Sequence, residues 1–351
     1  MIRVAINGFG RIGRSVLRVW FDKHRGELEI VAINDLVEAE ILASLLKHDS
    51  VYGIWGHNVE GTKSIRNSSA DESEQLGKIA IDKVDIATFA AKDPSNLPWK
   101  DLGIDVVCES TGRFTKLDDA SGHIKAGARR VVISAPSKDA PTFLLGVKAY
   151  DGKSEVINNG SCTTNCVGPV AKVIDGAFGI IKSAMTTVHG YTAEQNLVDG
   201  PPPPLHPDLR RARAAAINIV PTTTGAATAV AKVLEGIEGK FDGMAFRVPV
   251  VCGSVCDFTF LIGKKTTVEE VNEAFKKAAQ DPSYKGVLVI SEDPIVSSDI
   301  IGRPQSAIVD LPLTKVIDGD LVKVIAWYDN EWGYANRLIE QVIEVGKSIS
   351  P

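Results

Sequence analysis

The sequence has few cysteines, no long apolar run and no excess of positive charge, and each of these features excludes a class of protein. Five cysteines are too few, and odd in number, for a disulfide framework, which favours a reducing cytoplasm. No apolar run approaches the length of a membrane span, and the first residues lack the apolar region and cleavage site of a signal peptide. Because the net charge is -5, we expect neither nucleic acid nor a membrane surface as a partner.

The residues that are present have the balance of a globular enzyme. Charged residues make up 24% and hydrophobic residues 44%, which argues against a disordered chain. A length of 351 residues suggests two domains, each with a sizeable core. The only low-complexity stretch is Pro201–Pro204, which is predicted to be extended and stiff.

The first third of the chain alternates between strand and helix signals. Short apolar, β-branched runs occupy residues 3–6, 29–34, 105–109 and 131–134. Helical periodicity follows each of the first two runs, at residues 14–23 and 38–46. Such alternation predicts βαβ units and a parallel sheet.

The second half has longer extended runs and fewer helices. The runs lie at residues 246–251, 255–262, 286–290 and 322–328. They indicate a larger mixed or antiparallel sheet. Helical spacing returns at residues 332–349.

A cysteine and a histidine form the most informative pair. Cys162 follows an apolar strand signal at residues 155–157 and opens a segment that can run as a helix. A helix N-terminus favours the thiolate, and His189 could then complete a nucleophile–base pair. The alternative is that Cys162 is a small buried hydrophobe, as most free cysteines are.

A glycine-rich turn follows the first strand signal. Gly8, Gly10 and Gly13 have the spacing G-x-G-x-x-G, which allows a tight turn and brings a pyrophosphate to a helix N-terminus. Asp35 ends the next strand signal, where a carboxylate can accept both ribose hydroxyls and repel a 2′-phosphate, so NAD is favoured over NADP. The alternatives are a purely structural turn and a helix cap at Asp35 before residues 36–46.

Ten segments in family order resemble one family, the phosphorylating glyceraldehyde-3-phosphate dehydrogenases. They are residues 7–14 (NGFGRIGR), 109–115 (ESTGRFT), 134–136, 161–166 (SCTTNC), 188–195 (VHGYTAEQ), 209–214 (LRRARA), 220–227 (VPTTTGAA), 243–249 (GMAFRVP), 298–310 and 327–334 (WYDNEWGY). The resemblance covers nearly the whole chain. It implies oxidation of D-glyceraldehyde 3-phosphate to 1,3-bisphosphoglycerate by NAD and inorganic phosphate, through a cysteine thioester.

The resemblance also implies an architecture. We expect an α/β protein with an N-terminal Rossmann dinucleotide-binding domain, formed by residues 1–161 with 330–351. An α+β catalytic domain with a large mixed or antiparallel sheet would occupy residues 162–329. The resemblance further implies a homotetramer.

The matching positions suggest roles for individual residues. Cys162 resembles the nucleophile and His189 its base. The residues that match an anion site for the attacking phosphate are Ser161, Thr163, Arg211, Thr224 and Gly225. Those that match the substrate-phosphate site are Thr192 and Arg247. Those that match the cofactor site, besides the three glycines, are Arg11, Ile12, Asp35, Lys92, Ser134 and Asn330.

Each of these assignments has a plainer alternative. Arg211 and Arg213 could belong to a solvated helix face, and Arg247 could be an exposed strand residue. The C-x-x-x-C spacings of residues 162/166 and 252/256 could serve a zinc site, although a buried packing role suits Cys166 better. We expect the remaining histidines to be surface or loop residues; they are His24, His48, His57, His123 and His206.

Two other functions and three departures from the family pattern stay open. The rivals are erythrose-4-phosphate dehydrogenase, which releases the free acid, and a nucleotide-binding scaffold without catalysis. The family usually has Ala where Gly160 stands, and Cys252 could alter the packing behind the active cysteine. The loop 199–207 is longer and richer in proline than usual.

Overall fold

The computed structural model describes residues 1–63, 73–202 and 208–349. Contacts divide the chain into two compact units. One comprises Met1–Pro141, Tyr150–Asn159 and Leu338–Pro351, and the other comprises Thr142–Ala149 and Gly160–Arg337. The expected boundaries were 161/162 and 329/330. Residues 203–207 of the predicted proline-rich loop lie outside the described residues.

The first unit is built on an eight-stranded sheet, with a small separate pair of strands beside α2. In chain order these strands are β1 Ile2–Asn7, β2 Leu28–Asn34, β3 His48–Asp49, β4 Gly53–Ile54, β5 Val59–Lys63, β6 Gly77–Ile81, β7 Val84–Phe89, β8 Val106–Glu109, β9 Arg130–Ile133 and β10 Val156–Asn158. The large sheet has the order β10-β9-β8-β1-β2-β7-β6-β5. Its strands pair in parallel from β10 to β7, and the pairs β7–β6 and β6–β5 are antiparallel. The predicted parallel sheet is therefore confirmed.

This strand order places a topological switch at β1. The chain continues from β1 to β2 on one side, and β8 pairs with β1 on the other. In open α/β sheets, ligands bind beyond the carboxyl ends of the strands at such a point. The glycine turn that follows β1 lies at this edge.

The helices of the first unit are short. They are α1 Arg11–Val19, α2 Ala39–Lys47, α3 Leu117–Ala120 and α4 Gly122–Lys125. The helix expected at residues 14–23 starts at Arg11 and continues as a π-helical turn, Trp20–His24. Trp20 and Phe21 are buried in that turn, which accounts for the longer periodicity in the sequence.

The second unit contains another eight-stranded sheet, which is mixed. Its strands are β11 Ile180–Gly190, β12 Val220–Thr223, β13 Phe241–Val248, β14 Ser254–Ile262, β15 Leu288–Ser291, β16 Ala307–Asp310, β17 Lys315–Ile317 and β18 Leu321–Tyr328. The order is β12-β13-β11-β14-β18-β16-β15, with β17 on β18. Only the pairs β11–β13 and β15–β16 are parallel, in agreement with the predicted mixed sheet.

Helices cover one face of this mixed sheet. They are α5 Cys162–Phe178, α6 Ala226–Ala231 and α7 Val268–Gln280. The last helix, α8 Trp332–Lys347, has residues in both units, because Leu338–Pro351 belong to the first. Short 3-10 turns occupy Pro94–Asn96, Leu209–Ala212, Pro282–Tyr284, Ser297–Ile300 and Leu311–Leu313. Alternate residues of β14, including Cys256, Phe258 and Phe260, are buried in a core shared with α5 and α7. Among the helices described, none is both long and apolar enough to cross a membrane.

The strand expected at residues 246–251 begins and ends earlier in the chain. It runs from Phe241 to Val248 and ends before Pro249, which has no N–H to donate to a sheet. The Asp-Gly pair at its start resembles a turn in the sequence. Gly243 is instead a strand residue whose Cβ would lie 2.7 Å from the carbonyl oxygen of Met185, so glycine allows the two strands to approach closely.

Candidate active site

Cys162 is the first residue of α5, as the sequence predicts. Ser161 caps the helix: its Oγ accepts a hydrogen bond from the Thr164 N–H at 3.0 Å. The Thr164 hydroxyl accepts in return from the Ser161 N–H at 3.1 Å, which completes a capping box. The cap fixes the backbone that carries the sulfur, and Cys162 retains part of its surface accessible to solvent.

The predicted base stands beside this sulfur. Nε2 of His189, near the end of β11, lies 3.4 Å from Sγ of Cys162. The other ring nitrogen, Nδ1, lies 2.6 Å from the carbonyl oxygen of Gly190. That oxygen can only accept, so Nδ1 carries the proton and the lone pair of Nε2 faces the sulfur. This is the geometry of a nucleophile and its general base.

Burial sets the resting protonation of the pair. It raises the pKa of the Cys162 thiol to about 11, although Arg247 and Thr163 act in the opposite direction. Burial, followed by the charge of Arg247, lowers the pKa of His189 to about 3. At neutral pH the pair rests as thiol and neutral imidazole. Desolvation of the sulfur thus opposes the field of the helix N-terminus, which favours the thiolate.

Arg247 packs against the histidine instead of facing solvent. Its Nη1 donates to the Gly190 oxygen at 3.1 Å and to Oγ1 of Thr192 at 2.9 Å. Nη1 also lies 3.1 Å from Nδ1 of His189. The Nε of Arg247 is buried and has no hydrogen-bond partner among the described residues. An anion at this point would satisfy that donor, as a substrate-phosphate site requires.

The second predicted arginine is also buried. Arg211 is 6% exposed, and its Nε donates to the Thr222 hydroxyl at 3.0 Å. The solvated helix face is therefore wrong for Arg211, whereas Arg213 is exposed and pairs with Asp199. Two buried guanidinium groups in one unit provide the fixed positive charge that bound anions need.

A carboxylate that the sequence analysis missed lies between the two arginines. Oε1 of Glu194 is 3.2 Å from Nη1 of Arg211 and 3.8 Å from Nη2 of Arg247. Burial opposes its charge, but the Thr192 hydrogen bond and the two arginines hold the pKa of Glu194 below its usual value. Glu194 therefore balances the two positive charges within the anion-binding region.

The other predicted anion ligands differ in whether a bound anion can reach their side chains. The Thr224 hydroxyl accepts a hydrogen bond from the Ala226 N–H at 3.2 Å, and Gly225 is the N-cap of α6. Thr163 is buried, and its hydroxyl lies 2.9 Å from Oη of Tyr328. The Thr163 side chain thus lies in the core behind the thiol, while Thr224 and Gly225 keep surface that a ligand can reach.

The three glycines of the dinucleotide turn have separate functions. Gly8 has a φ of +90°, and a Cβ there would lie 2.5 Å from the Thr111 nitrogen. At Gly13 a Cβ would lie 2.2 Å from the Gly8 oxygen. At Gly10, the N-cap of α1, a Cβ would meet nothing within 4 Å. Two glycines make the turn possible, and the third leaves open space at a helix N-terminus, where a pyrophosphate fits.

Asp35 does not cap the helix that follows it. Helix α2 begins at Ala39 with Glu38 as its N-cap, so the capping alternative was wrong. Oδ2 of Asp35 accepts from the Phe9 N–H at 2.7 Å, and Oδ1 accepts from the Val37 N–H at 3.1 Å. The carboxylate is therefore fixed against the glycine turn, where it is positioned to meet a ribose.

The remaining predicted cofactor residues fall in both units. The Arg11 guanidinium pairs with Asp49. At the N-terminus of α1, Arg11 and Ile12 therefore offer a ligand their backbone N–H groups. Lys92 is exposed, and Ser134 follows β9 at the carboxyl edge of the sheet. Asn330 belongs to the second unit, and its Oδ1 accepts from the Gly253 N–H and the Ser254 hydroxyl.

One expectation about the remaining cysteines and histidines is wrong. Cys252 packs against Asp329, with Sγ 3.1 Å from Oδ1. All five cysteines are free. In the described ranges no three His, Cys, Asp or Glu side chains are arranged to hold a metal. His123 was expected at the surface but is completely buried.

Comparison with known proteins agrees with this geometry. A family profile described as "Glyceraldehyde 3-phosphate dehydrogenase, NAD binding domain" matches residues 2–117, and the "C-terminal domain" of the same family matches residues 161–330. The chain is 50% identical over 355 residues to a protein of Mycolicibacterium smegmatis named "Glyceraldehyde-3-phosphate dehydrogenase", covering 99% of both chains. Proteins of that name from Mycobacterium tuberculosis and Streptomyces coelicolor are each 49% identical, again over 99% of both chains.

Proposed function

The chain belongs to the glyceraldehyde 3-phosphate dehydrogenase family, and from that membership we propose that it oxidises D-glyceraldehyde 3-phosphate to 1,3-bisphosphoglycerate. NAD is the hydride acceptor, and inorganic phosphate is the second substrate. The observation that carries the proposal is the distance of 3.4 Å between Sγ of Cys162 and the unprotonated Nε2 of His189.

The first half of the reaction joins the aldehyde to the protein. Sγ of Cys162 attacks the carbonyl carbon while Nε2 of His189 takes the thiol proton and passes it to the carbonyl oxygen. The product is a hemithioacetal. The N–H of Cys162 and a donor from His189 stabilise the negative charge that develops on the oxygen.

The second half oxidises and releases the acyl group. NAD, which the glycine turn and Asp35 of the first unit would hold, would supply a hydride acceptor for the hemithioacetal carbon. His189 removes the hydroxyl proton at the same time, and a thioester on Cys162 results. Phosphate then attacks the thioester carbonyl, and Cys162 leaves as a thiol with the proton that His189 held.

Two anion sites serve this sequence of steps. We assign the substrate phosphate to Thr192 and Arg247, since the buried Nε of Arg247 lacks a partner in the described ranges. The residues assigned to the attacking phosphate are Ser161, Arg211, Thr224 and Gly225. The Thr163 hydroxyl, which the resemblance also placed there, faces Tyr328 in the core instead. Glu194 keeps both guanidinium groups in place before either anion arrives.

The test compares NADH formation from the triose and from erythrose 4-phosphate, with and without inorganic phosphate. We expect sustained turnover of the triose that depends strongly on phosphate. Phosphate-independent turnover of the tetrose would instead identify an erythrose-4-phosphate dehydrogenase. No turnover of either sugar would leave a nucleotide-binding scaffold.

Replacing Arg247 with lysine should raise the KM for the triose phosphate by about 10–100-fold, because lysine cannot donate from a planar fork. Steady-state kinetics with saturating NAD and phosphate measure the change. Arg213→Lys is the matched control, since Arg213 is exposed and pairs with Asp199. An unchanged KM in Arg247→Lys would contradict the assignment of the substrate phosphate.

Replacing Asp35 with asparagine should narrow the preference for NAD over NADP. Repulsion between like charges costs on the order of a few kcal/mol, so the ratio of the two kcat/KM values should fall about tenfold or more. Glu38→Gln is the control, because it removes a neighbouring charge at the actual N-cap of α2. A wild type that uses both cofactors equally would refute the role of Asp35.

Three further properties complete the proposal. The first unit binds the dinucleotide, and the second unit carries the chemistry. A cytoplasmic location fits five free cysteines. Assembly as a homotetramer fits the exposed apolar side chains of the second unit, of which Leu209, Ile217 and Ile219 are 73%, 80% and 69% exposed.

A further inference from the structure

Three neighbouring strands of the first unit end in polar side chains that are buried side by side. Asn7 ends β1 and stands in register with Asn34 of β2 on one side and Glu109 of β8 on the other. All three are at most 5% exposed. Buried polar groups must be hydrogen-bonded to be tolerated, and the chemistry proposed above uses none of these three.

A continuous hydrogen-bond chain joins them. Nδ2 of Asn34 donates to Oδ1 of Asn7 at 2.7 Å, and Nδ2 of Asn7 donates to Oε2 of Glu109. Oε1 of Glu109 accepts from the Thr111 N–H at 2.8 Å and from the Thr111 hydroxyl. The Glu109 carboxylate is thus the centre of the network.

His123, from α4, closes the chain at its far end. Nδ1 of His123 accepts a hydrogen bond from the Trp99 indole at 2.9 Å, and Nε2 lies 3.0 Å from Oε2 of Glu109. An indole N–H can only donate, so the imidazole proton must be on Nε2. That proton points at Glu109, which makes His123 a fixed donor to a buried carboxylate.

Backbone hydrogen bonds of the same residues hold the segments that would surround a dinucleotide. The Gly8 N–H donates to the Asn34 oxygen at 2.8 Å, and the Ser110 N–H donates to the Asn7 oxygen at 2.7 Å. A Cβ on Gly8 would lie 2.5 Å from the nitrogen of Thr111, so these two segments tolerate little displacement.

We propose that His123 is a positioning residue for the dinucleotide. By holding Glu109, it sets the glycine turn and the Ser110–Thr111 segment against each other, and so preorganises the pyrophosphate site. The inference rests on the proposed function only in that this unit binds NAD. Without the Nε2 donor, the Glu109 carboxylate would lack one hydrogen bond. Its side chain would then shift, and Asn7 and Thr111, which are hydrogen-bonded to it, would shift with it.

The test compares His123→Phe with His123→Gln in the full chain. Phenylalanine keeps a buried ring but no donor, whereas glutamine keeps an N–H. We expect the Kd for NAD, measured by calorimetry without substrate, to rise about tenfold in His123→Phe and to stay within about threefold in His123→Gln. The KM for NAD should rise in parallel, with kcat and the KM for the triose unchanged.

The opposite results are equally clear. If both variants lose thermal stability but bind NAD as tightly as wild type, His123 is only a core residue and the proposal is wrong. Equal weakening in both variants also overturns it, because glutamine should then have rescued binding. Since NAD binding is measured without turnover, a wild-type chain that binds NAD but oxidises no sugar would count against the proposed activity alone.

A second variant covers the case in which His123→Phe does not fold. Trp99→Phe removes the indole N–H that fixes the imidazole tautomer and leaves His123 in place. We expect the Kd for NAD to rise about threefold in this variant. A wild-type Kd in folded Trp99→Phe would overturn the proposal.

Discussion

Replacing Cys162 with serine is expected to abolish triose oxidation, with a fall in kcat on the order of 10⁴-fold or more. A serine hydroxyl in the same position is a far weaker nucleophile, and it would form an ester in place of an activated thioester. The Kd for NAD should not change, because the dinucleotide turn is built from the other unit. Stopped-flow measurement of NADH, together with calorimetry of NAD binding, checks both parts.

The matched control for this variant is Cys166→Ala. Cys166 lies one turn further along α5, is buried, and takes no part in the proposed steps. It should keep wild-type kcat with at most a modest loss of stability. Wild-type turnover by Cys162→Ser would show that sulfur is not the acyl carrier and would refute the mechanism.

Replacing His189 with asparagine is expected to slow the first burst of NADH by roughly 10²–10⁴-fold, the usual range for a positioned acid–base group. Asparagine preserves a donor near the substrate oxygen but cannot accept the thiol proton. The burst isolates acylation from the later attack of phosphate. A full-speed burst in His189→Asn would remove the histidine from the mechanism.

The same pair of proteins should differ in pH dependence. Burial holds the pKa of His189 at about 3, so the base is unprotonated throughout the neutral range and the wild-type burst should be flat from about pH 5 to about pH 9. In His189→Asn the thiol must ionise unaided. Because burial raises the pKa of Cys162 to about 11, the burst rate should rise about tenfold per pH unit over that range.

Local patterns predicted those parts of the fold whose causes are local. The helix at Cys162 needs only a strand signal and a capping residue, and the capping box formed by Ser161 and Thr164 spans four residues. The parallel sheet follows from alternating periodicities. By contrast, the predicted strand 246–251 missed the first half of β13, where glycine at position 243 is explained by the close approach of the neighbouring strand at Met185.

The misplaced and missed site residues depend on distant partners. His123 has no periodic signal of its own, and its burial requires Trp99, 24 residues away, and Glu109, 14 residues away. A carboxylate such as Glu194 is not expected in an anion site from its sequence neighbours alone. Its place becomes clear only when the fold brings Arg211 and Arg247 to either side of it.

The pKa of the nucleophile depends on packing as well as on local sequence. A helix N-terminus can be inferred from sequence, but the desolvation that opposes it depends on how much of the second unit surrounds the sulfur. The pKa of Cys162 is therefore a property of packing. The sequence does predict that Cys162 pairs with His189, because that prediction depends only on the motifs and their order along the chain.

The unequal exposure of the cysteines makes the protein a convenient subject for active-site titration. All five cysteines lie in the described ranges, and Cys162 is the only one that is partly rather than fully buried. A thiol reagent applied to the native protein should therefore react at a stoichiometry of one per chain, and at five per chain after denaturation. The native stoichiometry counts competent chains in any preparation, so measured turnover can be expressed per functional sulfur instead of per milligram.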